Sequence, residues 1–127
     1  MSAIKRIGKQ TVRCADSPVI LGTGTVAGKK ESEGPIGSYF DIVAEDNVLA
    51  QKTWEKAESE FVRRAMGEAF QNSGIAPAQI DYCFGGDLLN QCTGTSYGIR
   101  EYGIPFIGLY GACSTMALGL SMASYML

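Results

Sequence analysis

The clearest hydrophobic rhythm in the chain runs through TWEKAESEFVRRAMGEAFQNSGI, residues 53–75. Trp54, Ala57, Phe61, Ala65, Met66, Ala69 and Phe70 recur at the three- and four-residue steps of one helical face, while Glu55, Lys56, Glu58, Glu60, Arg63, Arg64 and Glu68 fall largely elsewhere. This predicts a long amphipathic helix whose aromatic stripe belongs to the core. Asn72 and Gly74 mark its end, with Gly74 suited to a left-handed C-terminal cap.

Around that helix the apolar positions form short runs. PVILG (18–22), DYCF (81–84) and FIGLY (106–110) each have strand length and break into small or glycine-containing turns. A helix is expected within 90–103 and another over CSTMALGLSMASYML, 113–127; residues 31–51 read as an irregular connection. The resulting order is strand, long helix, strand, helix, strand, helix, which predicts an α/β fold with a mostly parallel sheet covered by helices. No repeat or low-complexity segment interrupts it. The end, ASYML, falls inside an apolar helix without Gly, Asn or a basic last turn, so residues 1–127 read as one half-domain truncated at its C-terminus.

Composition narrows the function classes. A 127-residue chain with 46% hydrophobic content can bury one core, and a net charge of -2 gives no electrostatic footprint for nucleic acid. Cys14, Cys83, Cys92 and Cys113 are widely spaced and no histidine accompanies them, which removes the usual zinc patterns and fits a reduced, cytoplasmic setting. The basic N-terminus lacks the apolar core of a secretory signal. Residues 104–127 carry no charge, but Pro105, Gly108, Gly111 and Gly119 interrupt them, so they are read as strand plus buried helix rather than a membrane span.

In an open parallel sheet, sites form where strands end and helices begin. Three such joints are expected to share one face: Gly22 and Gly24 at the first; Gly86, Asp87, Asn90 and Gln91 at the second; Gly111, Ala112, Cys113 and Ser114 at the third. Gly22, Gly24 and Ala27 also fit G-x-G-x-x-A, but that dinucleotide fingerprint needs a helix at once, and loop-forming GKKESEGPIGS follows. These glycines are therefore read as turn and close-packing positions. A thiol at Cys113, at the head of a helix, would meet unpaired N–H groups that favour thiolate. Its alternative is a small buried hydrophobe. Asp87, before LLNQ, is placed either to cap a helix or to touch a ligand, and the other three cysteines are read as structural.

GLYGACSTMALGL, with GGDLLNQ and TWEKAESEF, resembles the thiolase-like superfamily, and within it the stage V sporulation AD family of endospore-forming bacteria. The resemblance implies the N-terminal half of a thiolase-like fold, homodimeric when complete, with Cys113 at the position of the acyl-accepting nucleophile in condensing enzymes. It further implies a non-catalytic binder of dipicolinic acid that supports uptake into the developing spore, beside other stage V sporulation proteins of the same operon. Its site would be cytoplasmic and peripheral to the spore inner membrane through those partners. Carried over by position, the ligand-binding residues are Cys113, Ser114 and Asp87. Asp87 would repel a bare dianion, so it must be protonated, turned away, or bridged by calcium carried as the ligand's chelate. No cofactor or resident metal is implied. The alternative is a condensing acyltransferase using Cys113 as nucleophile.

Overall fold

A computed structural model of the chain describes residues 4–127. In order, the elements are β1 (Ile4–Ile7), β2 (Thr11–Cys14), β3 (Val26–Ala27), the single turn α1 (Lys29–Ser32), β4 (Ile42–Val43), α2 (Trp54–Ser73), β5 (Cys83–Gly85), α3 (Thr93–Ile99), β6 (Phe106–Gly108) and α4 (Thr115–Met126). Short 3-10 turns at 37–39, 77–79, 100–102 and 112–114 join them.

The class is mixed α/β, but the strands do not form one sheet. β1 and β2 make an antiparallel hairpin, β3 pairs with β4 in parallel, and β5 pairs with β6 in parallel with Gly85 opposite Gly108. The hairpin has no counterpart in the hydrophobic pattern, because its strands are four residues long and mostly exposed.

The expected strand at 18–22 does not form. Val19, Ile20 and Leu21 are exposed, and pairing begins only at Val26. The cause is local: a Cβ on Gly22 would lie 2.6 Å from that of Ser73, and one on Gly24 would lie 2.0 Å from the Ala65 carbonyl oxygen. The chain therefore runs tight along α2 instead of entering a sheet. A helical turn, α1, does follow the G-x-G-x-x-A match, yet Gly24 has no open space beside it, and its close-packing role stands.

The long helix forms as its periodicity predicts. Thr53 caps it by accepting from the Lys56 amide at 3.3 Å, and Gly74, at φ 69, ends it with its amide on the Phe70 carbonyl. Ala57 is buried and Phe61 to Phe70 are half-buried, whereas Trp54 in the first turn is 60% exposed and is not a core residue. Against this helix lies α3, held close by Gly94 and Gly98 one turn apart. Added Cβ atoms there would meet the Glu58 carboxylate at 2.5 Å and the Ser59 carbonyl at 2.6 Å. Tyr102 closes the far end, its hydroxyl donating to the Arg63 carbonyl and its ring edge-on to Phe70.

The core is small: Ala27, Ala44, Leu49, Ala57, Ile99, Ile104 and Leu109. Residues 104–127 form strand and helix as expected, and among the described residues no helix is long and apolar enough to cross a membrane. The expectation that α4 is buried does not hold within this chain. None of its residues is buried, and Met116, Leu120 and Met126 are exposed.

Candidate functional site

Two of the three expected joints meet. β5 and β6 run side by side, with the Leu109 amide donating to the Gly85 carbonyl at 2.7 Å, so both chains leave the sheet at the same end. Gly86 then passes so close to β6 that a Cβ would sit 2.0 Å from the Leu109 carbonyl oxygen. The first joint lies elsewhere, with Gly22 and Gly24 on the C-terminal half of α2.

After β6 the chain turns through Gly111 and Ala112 into α4. Ala112 adopts φ 47, a left-handed conformation that is uncommon for a residue with a Cβ. The turn is tied by the Ser114 amide and hydroxyl, both donating to the Gly111 carbonyl, and by the Gly111 amide donating to Thr115 Oγ1. Ser114 thus spends its hydroxyl hydrogen on its own turn. Cys113, at the crest, is exposed.

Cys113 lines an open cavity of about 630 Å³ between β5, α2 and α4, together with Gly85, Gly86, Ala112, Thr115 and Met116. Cys83, Phe84, Met66, Phe70 and Ile104 form its apolar floor. Burial pushes the Cys83 thiol above its ordinary range. The Cys113 thiol and the Thr115 hydroxyl are among the polar groups of the cavity lining. The chain contains no histidine to act as base beside Cys113.

Asp87 is placed differently. It is 7% exposed, and its carboxylate accepts from the amides of Asn90, Cys92 and Thr95 and from the Thr95 hydroxyl, at 2.9–3.3 Å. Burial works to raise its pKa, but these donors outweigh burial and hold the carboxyl below its ordinary value. Of the three arrangements open to it, Asp87 is turned away from the cavity, with its lone pairs committed. No helix forms at LLNQ; Asp87 instead caps α3 from upstream, through the Thr95 amide. Asn90 and Gln91 belong to the loop it organises and do not line the cavity. Among the described residues no cluster of three metal-ligating side chains occurs.

The Asp87 loop nevertheless reaches the Cys113 turn. Gln91 and Cys92 both adopt positive φ, at 47 and 70, and the Cys92 thiol donates to the Leu109 carbonyl at 3.3 Å. A chain of contacts therefore runs from Asp87 through Cys92 to Leu109, two residues before the turn. Cys92, read as merely structural from sequence, is part of this support. Glu58 underlies it from α2. Burial first, then the charge of Asp87, pushes Glu58 above its ordinary range against a hydrogen bond from the Leu88 amide, while its Oε2 has no hydrogen-bond partner. No pattern in the sequence marks Glu58, which stands beside the apolar stripe among other charged residues.

The stage V sporulation protein AD (SpoVAD) family model matches residues 8–127. Stage V sporulation protein AD of Bacillus subtilis (strain 168) is 38% identical over 121 residues, covering 95% of this chain and 36% of that protein. The chain thus spans about a third of the length of the curated relative it matches. The family match over residues 8–127 and the 38% identity over 95% of the chain establish that this chain belongs to the stage V sporulation protein AD family, a family of sporulation proteins.

Proposed function

We propose that the cavity beside Cys113 forms part of a non-catalytic binding site for dipicolinate, in a protein of thiolase-like organisation of which this chain is the N-terminal part. The carrying observation is the exposed Cys113 at the crest of a strained turn, facing a cavity with an apolar floor and glycine walls. A planar aromatic ring fits such a floor, and glycine walls permit close approach to backbone. Within this reading Cys113 is a contact residue. Ser114 and Asp87 are positioning residues: the first ties the turn, the second holds the loop behind it. The bound ligand would be passed on with other stage V sporulation proteins.

Calorimetric titration of the intact gene product with dipicolinate, with and without calcium, tests this reading. Saturable binding that is lost in Cys113→Ala, without transfer of an acyl group from acyl-thioesters, is the expected result. Acyl transfer that disappears with Cys113→Ala would favour the condensing enzyme, and unchanged dipicolinate binding by Cys113→Ala would remove this site from consideration.

A further inference from the structure

The N-terminal hairpin takes no part in the cavity, and its composition opposes that of the rest of the molecule. Between residues 4 and 14 it carries Lys5, Arg6, Lys9 and Arg13 with no carboxylate, whereas the chain's other seven basic residues stand against thirteen acidic ones. Lys5 lies directly opposite Arg13 in the register. Like charges in that position sit about 5 Å apart at Cβ and destabilise the pair. Every residue from 5 to 13 is exposed, and among the described residues no third strand joins the hairpin. A two-stranded ribbon alone is marginal in water.

The two faces of the ribbon are not equivalent. Cys14 is half-buried and directs its thiol to the Ser124 carbonyl of α4, at 3.8 Å, which turns the Cys14 end of its face toward the body of the chain, while Val12 and Arg6 on the same face stay exposed. Alternation puts Lys5, Ile7, Thr11 and Arg13 on the outer face. Arg6 has a partner within the hairpin, donating to the Lys9 carbonyl. The side-chain ion pairs among the described residues, those of Glu60 and Glu101 with Arg63 and Arg64, all lie outside the hairpin.

We propose that this outer face docks an extended, carboxylate-rich segment of a partner protein, which adds as a third strand at a free edge of the hairpin. Such a segment answers three deficits together. Its backbone pairs with the open edge. A carboxylate beside Lys5, on a strand added at the β1 edge, offsets the repulsion from Arg13, and an aliphatic side chain two residues along that strand, on the same outer face, covers Ile7, which is 45% exposed. An anionic bilayer would answer the charge but leave the edge amides and carbonyls without partners. The inference is independent of the dipicolinate reading.

The test is titration of the intact gene product with the hexapeptide Thr-Glu-Thr-Val-Thr-Glu, blocked at both ends, which sets Glu and Val on one face of an extended strand. Binding is expected to weaken at least about tenfold between 0.05 and 0.5 M salt, as the Debye length shortens. Lys5→Glu is expected to lose binding by a similar factor. Because Lys5→Glu sets opposite charges across the strands, it does not weaken the hairpin, and equal thermal stability of parent and variant separates lost recognition from lost folding. A peptide N-methylated at alternate residues is expected not to bind. Unchanged binding to Lys5→Glu, equal binding of the N-methylated peptide, or no binding at millimolar peptide would each overturn the proposal. So would hairpin amides already protected from exchange, by the protein's own chain or a second copy, or binding of phosphatidylglycerol vesicles in place of the peptide.

Discussion

The loop after β5 and the turn after β6 leave neighbouring parallel strands at the same end of the molecule, and both pass through left-handed residues to enter a helix. They differ in where their polar groups go. Asp87 directs its carboxylate inward and satisfies four donors, so the first loop is closed on itself. The turn at 111–114 consumes its backbone and the Ser114 hydroxyl but leaves the Cys113 side chain outside. Position at the end of a parallel strand thus does not assign a role: one loop supports and the other presents. The contact between them, Cys92 on the Leu109 carbonyl and Gly86 beside it, makes the support mechanical.

The largest expected effect is at the contact itself. Gly86→Ala places a methyl group against the Leu109 carbonyl and is expected to cost about 3 kcal/mol or more in a denaturant titration. A variant within about 1 kcal/mol of the parent would show that the two loops are not locked together. Next comes Asp87→Ala, which strands buried donors and is expected to lose about 2–3 kcal/mol, with Asp87→Asn falling between it and the parent. Dipicolinate affinity per folded molecule is expected to survive Asp87→Asn, since Asp87 does not line the cavity, whereas Gly86 does and Gly86→Ala is expected to weaken binding as well. Selective loss of affinity at unchanged stability in Asp87→Asn would reverse the roles assigned to the two regions.

The carboxylates of the supporting region respond to pH in opposite senses. Asp87, held below its ordinary value, contributes stability above its unfolded pKa of about 3.9, and this is lost as pH falls through the lower folded value. Glu58, pushed above its ordinary value, has the reverse linkage: its contribution is present when it is protonated and is lost as pH rises through the folded value. Glu58→Gln is therefore expected to stabilise the protein at pH 7, with the gain vanishing as pH falls below the ordinary glutamate range. Melting curves across that range check it, and a Gln variant that is less stable at pH 7 would contradict the account of Glu58. The smallest expected effect on stability is that of Cys113→Ala, within about 0.5 kcal/mol, because its side chain is exposed.

Much of the element order was legible in the sequence. The helical period of 54–73 needs no tertiary information, and the Gly74 cap follows from local backbone chemistry. β5, α3, β6 and α4 also stand where their apolar runs lie. PVILG misled because its strand-like composition cannot reveal that Gly22 and Gly24 will be pressed against α2, which pulls the segment out of any sheet. The hairpin was hidden for the opposite reason: its strands bury almost nothing, so no alternation of buried and exposed residues is required of them. Cys113 could be singled out because small residues before a helix mark a tight joint. The direction of the Asp87 side chain could not, since capping and ligand contact call for the same residue type. The pairing of Glu58 with that loop depends on the seating of α3 on α2, a long-range fact absent from local pattern.

The most direct measurement is the rate of iodoacetamide alkylation at each cysteine of the intact gene product, resolved by peptide mass, with and without saturating dipicolinate. The account predicts that Cys113 reacts ahead of Cys14, Cys83 and Cys92 and that dipicolinate slows it selectively. Equal rates at all four cysteines, or a Cys113 rate indifferent to dipicolinate, would contradict it.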